Sequence, residues 1–162
     1  MEKVVVYPGT FDPITNGHLD IALRASSLFD KVIVALPKAT LHKSTFFTFE
    51  ERFEILKEVF KDNPKFEVVG FEGLLVDFVK RIGAVAIVRG LRAVSDFEYE
   101  LQIALMNMHL CGVETIFFMT SEENMFVSSS VIKEIALLGG DISSKVPPIV
   151  VEKIKSKVKT SK

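Results

Sequence analysis

Five short apolar runs alternate along this chain with segments of helical periodicity, and this alternation constrains the fold more than any other feature. The predicted strands cover residues 3–7, 31–36, 66–71, 84–88 and 114–119. The predicted helices cover residues 17–29, 49–61, 74–82 and 97–110. A fifth begins at residue 131 and is ended by Gly139-Gly140, and a last helix begins at about residue 148. Four of the strands are nearly continuous apolar runs, which is typical of strands covered by helices on both faces. The sequence therefore predicts an α/β fold with a five-stranded, parallel, doubly wound sheet.

Local signals predict where several helices begin and end. Thr48 and Glu51 have the spacing of a capping box, which places a helix start at residue 49. Gly83 is expected to close the helix over residues 74–82, because glycine readily adopts the left-handed conformation of a C-cap. Asp96 is expected to cap the helix that begins at residue 97.

Length and composition limit the classes of protein that this chain can belong to. Its 162 residues predict one domain over residues 1–162, ending in a lysine-rich helix from about residue 148. The formal charge is −1, which disfavours a basic surface for nucleic acid. The single cysteine, Cys111, excludes an intramolecular disulfide and a cysteine-cluster metal site. No apolar run approaches the roughly 18 residues of a membrane span, and no secretory signal is visible, so we expect a cytoplasmic protein without membrane or nucleic-acid partners.

Ligands of such sheets bind beyond the carboxyl ends of the strands, so the segments that follow the strands are the candidate site. The first segment, residues 8–18, lacks both the dinucleotide fingerprint and the P-loop pattern. It offers the Thr10 hydroxyl and a Gly17-His18 pair at a predicted helix start, where free N–H groups and the helix dipole suit phosphate. Considered alone, His18 is better explained as a surface residue at the start of a helix.

Other strand ends add cations and hydroxyls. Lys38, His42 and Lys43 follow the second predicted strand, and Arg89 and Arg92 follow the fourth. A third group is the run of serines at residues 128–130, before a predicted helix. Separately, the arginines could be solvated loop charges and the serines ordinary helix caps. Together at one edge of a sheet they predict a site for a polyphosphate.

Three stretches carry a resemblance to a known family. The stretch YPGTFDPITNGHLDI, with Thr15 ahead of Asn16-Gly17-His18, resembles the first signature of the phosphopantetheine adenylyltransferases, members of the nucleotidylyltransferase superfamily. Residues 89–100 and 126–134 are similar to the second and third signatures of that family, and the resemblance spans residues 3 to about 150. It implies a Rossmann-like nucleotidylyltransferase fold and transfer of an adenylyl group from ATP to 4′-phosphopantetheine, giving dephospho-coenzyme A and pyrophosphate.

The resemblance also implies roles for individual residues. The implied catalytic residues are His18, which would stabilise the α-phosphate in the transition state, and Lys43, Arg89 and Arg92. Lys43 and Arg89, with Thr10, would hold the acceptor phosphate, and Leu75 would touch the pantetheine arm. Arg92 and the serine-capped helix would hold the β- and γ-phosphates. The implied nucleotide site comprises Thr10, Phe11, His18, Gly90, Leu91, Arg92, Glu100, Asn124, Met125, Phe126, Val127, Ser128, Ser129 and Ser130.

Several points stay open at this stage. Either His42 or Lys43 takes the place of the family lysine, and Asn124 stands where relatives often have a large aromatic residue. Mg²⁺ is expected with ATP but without a dedicated protein site, and Asp12 is better explained as stabilising the turn before Pro13. The resemblance further implies a homohexamer and feedback inhibition by coenzyme A. The alternatives are an adenylyl- or cytidylyltransferase acting on another acceptor, such as nicotinate mononucleotide or glycerol phosphate, and a non-catalytic ATP-sensing module.

Overall fold

A computed structural model describes residues 1–40, 44–92 and 94–160, apart from the side chains of Val94, Ser95 and Thr160. Within these residues the strands are β1 (Val4–Pro8), β2 (Lys31–Pro37), β3 (Phe66–Phe71), β4 (Ala86–Leu91) and β5 (Glu114–Met119). The helices are α1 (Asn16–Leu28), α2 (Phe49–Phe60), α3 (Leu75–Ile82), α4 (Val94–Cys111), α5 (Ser129–Leu137) and α6 (Pro148–Thr160), and a 3₁₀ turn covers Glu122–Asn124.

The five strands form one sheet in the order β3-β2-β1-β4-β5, and every neighbouring pair is parallel. Val6 of β1 lies between Ile33 of β2 and Ile87 of β4 in the register. The chain first builds outward from β1 to β3 and then returns to add β4 on the other side of β1. This reversal of strand order leaves a crevice at the carboxyl ends of β1 and β4, where ligands of such folds bind. The predicted fold class is confirmed.

The sheet separates two apolar cores because successive side chains of a strand point to opposite faces. Val5 of β1 packs in the larger core with side chains of α1, α2, α5 and α6, including Ile21 and Leu56. Val6 packs in the smaller core against α3, which contributes Phe78. The larger core anchors both α1 and α5, the two helices whose first turns reach the crevice.

Two of the predicted helix ends are confirmed. The Thr48 hydroxyl accepts a hydrogen bond from the Glu51 N–H at 3.1 Å, and the Glu51 carboxylate accepts one from the Thr48 N–H, which completes the capping box of α2. Gly83 ends α3 in the left-handed conformation, with a φ of 69°.

The fourth strand and the helix after it differ from the prediction. The strand was expected over residues 84–88, but β4 runs from Ala86 to Leu91, because Arg89 and Gly90 continue the ladder opposite Phe117 and Phe118 of β5. Arg89 is therefore part of the sheet and does not belong to the following loop. Helix α4 begins at Val94, so Asp96 lies in its first turn and is not its N-cap.

Candidate active site

A cleft of about 820 Å³ opens at the carboxyl ends of β1 and β4, where the strand order reverses. It is bounded by the loop after β1, the starts of α1 and α5, the end of β4 and the first turns of α4. The predicted site residues that line it are Thr10, Phe11, His18, Arg89, Gly90, Arg92, Glu100, Asn124, Val127, Ser128, Ser129 and Ser130. One cleft thus collects the imidazole, both guanidinium groups and the serine-capped helix.

Other predicted site residues do not line this cleft. Leu75, at the start of α3, packs against the smaller core. Leu91 is buried at the end of β4, and its carbonyl accepts hydrogen bonds from the backbone and hydroxyl of Thr120. Met125 and Phe126 are solvent-exposed, Phe126 to 86%. His42 and Lys43 lie outside the described residues.

His18 is held by the cap of its own helix. The Thr15 hydroxyl accepts a hydrogen bond from the His18 N–H at 3.4 Å, and the Thr15 N–H donates to Nδ1 of His18 at 3.0 Å. Because a backbone N–H can only donate, Nδ1 must be the unprotonated ring nitrogen, and the proton of the neutral ring is on Nε2. The edge-to-face ring of Phe11, with its centroid 5.2 Å away, packs against the imidazole.

The surroundings of His18 keep its ring uncharged. Burial lowers the pKa of His18 to about 4, and the positive charges of Arg89 and Arg92 act in the same direction. At neutral pH the imidazole is therefore a neutral hydrogen-bond donor through Nε2–H. The ring has no nitrogen free to accept a proton from a substrate, because Nδ1 already accepts a hydrogen bond from the Thr15 N–H.

Arg89 is fixed by three hydrogen bonds. Its Nε and Nη2 donate to the two carboxylate oxygens of Glu100, at 3.0 and 2.7 Å, and its Nη1 donates to the Pro8 carbonyl at 2.9 Å. Burial alone would lower the pKa of Arg89, but the hydrogen bonds and charge of Glu100 raise it overall. Counting contacts within the described residues, two of the five guanidinium N–H donors are left for a ligand.

Arg92 and the start of α5 supply further donors. Arg92 is exposed and forms a looser pair with Asp96, 3.4 Å between Nε and Oδ2. Ser128 is the N-cap of α5, since its hydroxyl accepts from the Val131 N–H, and the Ser129 hydroxyl donates to the Pro13 carbonyl at 2.8 Å. The bond from Ser129 to Pro13 holds the start of α5 against the loop after β1. The N-terminus of a helix is a favourable place for an anion.

Gly90 allows α1 to lie directly on β4. A Cβ atom at Gly90 would be only 2.2 Å from Cδ1 of Ile21, a buried side chain of α1. The close approach brings the first turn of α1, with His18, next to the end of β4, with Arg89. The glycine acts here by leaving space for the packing of a helix on the sheet.

Comparison with known proteins agrees with this geometry. Residues 6–135 match the model of the cytidylyltransferase-like family. The phosphopantetheine adenylyltransferase of Thermodesulfovibrio yellowstonii is 53% identical over 98% of this chain and 99% of its own length. That of Moorella thermoacetica is 58% identical over 90% of this chain and 91% of its own length. The chain belongs to the phosphopantetheine adenylyltransferase family. It is an adenylyltransferase of coenzyme A biosynthesis.

A distant solved structure shares the fold of this adenylyltransferase. The nicotinic acid mononucleotide adenylyltransferase of Plasmodium falciparum, solved in complex with NaAD, superimposes with a TM-score of 0.69 over 96% of each chain, at 15% sequence identity. At this identity the likeness concerns the fold. In the part of this adenylyltransferase that the structure describes, no helix is long and apolar enough to cross a membrane.

Several residues that line the cleft have no role that the sequence pattern predicts. They include Tyr99, Thr120, Lys133 and Tyr7, and burial raises the pKa of the Tyr7 phenol so that it stays protonated. The position of Lys133 could have been predicted from the sequence. It follows Ser129 by one helical turn, so the two side chains share a face of α5. Tyr7 lies at the end of the first predicted strand, and no local sequence pattern indicates that its side chain lines the cleft.

Carboxylates suited to a metal ion are not clustered in the described residues, which contain no group of three or more His, Cys, Asp or Glu side chains able to hold one. Asp12 has both oxygens engaged, by the backbone N–H groups of Phe46 and Phe47 and by the Lys133 ammonium. The groups that face the cleft are instead the cations and N–H donors that suit the phosphates of a nucleotide.

Proposed function

We propose that this adenylyltransferase transfers the adenylyl group of ATP to 4′-phosphopantetheine, with His18 stabilising the transition state. An oxygen of the acceptor phosphate forms a bond to the α-phosphorus of ATP, and the bond from that phosphorus to the β-bridging oxygen breaks. Pyrophosphate leaves with the electron pair, and dephospho-coenzyme A remains. The observation that carries the proposal is the His18 ring, whose Nδ1 is capped by the Thr15 N–H, so that Nε2–H is its donor beside Arg89 and Arg92.

This reaction needs no protein base. The second pKa of a phosphate is about 6, so the acceptor is mostly ionised near neutral pH and can attack directly. A histidine with a pKa of about 4 is a poor proton acceptor but a suitable neutral donor to the charge that develops on the α-phosphate. Positioning and charge stabilisation supply most of the catalysis in phosphoryl transfer.

The cations divide between the two substrates. We assign Arg89, Lys43 and Thr10 to the acceptor phosphate. This phosphate must approach the phosphates of ATP, and cations there screen the repulsion between the two anions. Arg92 and the start of α5 are assigned to the β- and γ-phosphates, where negative charge accumulates as pyrophosphate departs. Glu100, although assigned to the nucleotide from the family resemblance, acts on this geometry through Arg89, whose guanidinium it orients.

Further features of the proposal concern the substrates and the assembly. Mg²⁺ enters with ATP, as part of the substrate, and neutralises phosphate charge. Leu75 is assigned to the pantetheine arm, and the remaining nucleotide contacts are those implied by the family signatures. A homohexamer, feedback inhibition by coenzyme A and a cytoplasmic location complete the proposal.

Pyrophosphate release measures the acceptor directly. Every sample contains the protein, ATP and Mg²⁺, and each sample receives one acceptor: 4′-phosphopantetheine, nicotinate mononucleotide, glycerol 3-phosphate or none. We expect pyrophosphate release only in the sample that contains 4′-phosphopantetheine, with one dephospho-coenzyme A formed per pyrophosphate. Release only with another acceptor would assign a different transferase activity, and ATP binding without release under any condition would contradict catalysis.

A further inference from the structure

A cluster of charged side chains lies at the wall of the cleft, among residues that the proposed function has not used. It consists of Asp12, Arg52 and Lys133, and we refer to these three side chains as the Asp12 clamp. Asp12 is 5% exposed and Arg52 is 3% exposed, and the side chains of Asp12 and Lys133 both line the cleft. Charged groups are rarely buried to this extent unless they are paired.

Asp12 connects distant parts of the chain. Its Oδ2 accepts a hydrogen bond from the Phe46 N–H at 2.8 Å, and its Oδ1 accepts one from the Phe47 N–H at 2.9 Å. The ammonium of Lys133, on α5, donates to Oδ2 at 3.1 Å. These partners are 34, 35 and 121 positions away, so the expected role in a local turn before Pro13 does not describe this carboxylate.

Arg52 holds the same region from the other side. Its Nη1 donates to the Thr10 carbonyl at 2.9 Å, and its Nε donates to the Phe47 carbonyl at 3.3 Å. Arg52 lies on α2, whose start is fixed by the capping box. The clamp therefore ties the backbone of Thr10 to the segment just before α2 and ties both to α5.

The position of these segments relates the clamp to the substrates. Thr10 is assigned to the acceptor phosphate, and residues 44–47 directly follow Lys43, which is assigned to the same phosphate. A buried ion pair is weak support for stability alone, because the cost of removing charges from water offsets much of their attraction. What such a cluster provides here is a fixed separation between the two chain segments that flank the acceptor.

We infer that Asp12, with Arg52 and Lys133, is a positioning residue of the adenylyl transfer, acting through Thr10 and the segment that follows Lys43. This inference rests on the proposed function for its kinetic consequence but not for its structural one. Misplacing reacting groups by about 1 Å costs on the order of 10²-fold in rate, so loosening the clamp should lower turnover without removing any group that touches substrate.

The first test compares Asp12→Asn with the parent protein. The amide keeps the size of the carboxylate but loses its charge and one acceptor oxygen. In steady-state kinetics, normalised to folded protein, we expect kcat/KM for 4′-phosphopantetheine to fall on the order of 10- to 100-fold. The matched control is Glu58→Gln, the same chemical change in an exposed ion pair with Lys61, which should leave kcat/KM unchanged. Parent-level kcat/KM in folded Asp12→Asn overturns the inference.

The second test measures the loop and does not depend on the substrate. Amide hydrogen exchange of Phe46 and Phe47 should become faster in Asp12→Asn, while exchange in β2 stays as in the parent protein. Unchanged exchange at both amides overturns the clamp. If the parent protein releases pyrophosphate only with another acceptor, the proposed function fails, and the exchange result still decides whether the clamp exists.

Variants of Lys133 keep the inference testable if Asp12→Asn does not fold. This lysine is partly exposed, so Lys133→Met should be tolerated. We expect Lys133→Met to speed the exchange of the Phe46 and Phe47 amides and to lower kcat/KM, and we expect Lys133→Arg to restore both. A loss of activity in Lys133→Met with parent-like exchange would instead indicate direct contact with a phosphate and would overturn its place in the clamp.

Discussion

At the scale of single residues, the site depends on which nitrogen of His18 carries the proton. The Thr15 N–H occupies Nδ1, and burial together with Arg89 and Arg92 disfavours a second proton. A charged imidazole would bind the phosphates of ATP in the ground state as well as in the transition state. A neutral donor held in place responds mainly to the charge that develops during the reaction, which is the condition for lowering the barrier.

The titration of His18 tests this protonation state. We expect ¹⁵N NMR to show Nε2 protonated and Nδ1 unprotonated at pH 7, and a pKa near 4, well below the usual value of 6.5. Between these two values the unfolded chain binds a proton that the folded chain does not. The free energy of unfolding should therefore fall as the pH falls from 6.5 towards 4, and His18→Gln should lack this contribution. A pKa of 6.5 or above would contradict the neutral donor.

The sequence distinguishes poorly between residues of the same type at this scale. Arg89 and Arg92 are three positions apart, and the sequence predicts the same environment for both. In the structure, however, Arg89 is held by Glu100, whereas Arg92 is exposed beside Asp96. The difference depends on where β4 ends and on the direction in which α4 leaves it. Neither follows from a local pattern, because the apolar run stops at Val88 while the backbone ladder continues.

At the scale of secondary-structure elements, the pair of Arg89 and Glu100 joins β4 to α4. Most of the element pattern was predictable, since strand periodicity, the capping box at Thr48 and the glycine at residue 83 are local signals. The segment before α2 was not, because its backbone is held by Asp12 and Arg52 from distant parts of the chain.

Glu100→Gln tests how much the link between β4 and α4 contributes. The substitution leaves the Arg89 guanidinium half-buried without a compensating charge, so we expect a loss of about 1–3 kcal/mol in the free energy of unfolding. Thermal or denaturant unfolding measures it. The control is Glu67→Gln, which removes an exposed pair with Lys31 and should cost about 0–1 kcal/mol. Equal losses in both variants would contradict a structural role for the pair of Arg89 and Glu100.

At the scale of the whole molecule, many large apolar side chains are exposed on α4, at the end of β5 and around α5. They are Phe97, Tyr99, Leu101, Ile103, Leu105, Met106, Leu110, Met119, Phe126, Val131, Ile135, Leu137 and Leu138. Exposed apolar surface of this extent is typical of an interaction site. Hydrophobic residues make up 48% of the sequence, which favours a covered surface but does not indicate where on the fold that surface lies.

The homohexamer proposed for this protein predicts a definite mass. Light scattering after size-exclusion chromatography should give about 109 kDa, six times the 18.1 kDa of the chain. Leu105→Glu, at an exposed position of α4, should lower this mass, because a charge would then have to be buried in the interface. A mass of one chain for the parent protein would contradict the assembly.

The central claim is that a neutral, positioned His18 stabilises the charge of the transition state while the acceptor phosphate attacks without a protein base. Its most direct measurement is the turnover of His18→Ala with ATP and 4′-phosphopantetheine, compared with the parent protein at equal folded concentration. Loss of one preorganised donor predicts a fall in kcat of about 10²- to 10³-fold, with unfolding behaviour retained. A kcat equal to that of the parent protein would contradict the claim.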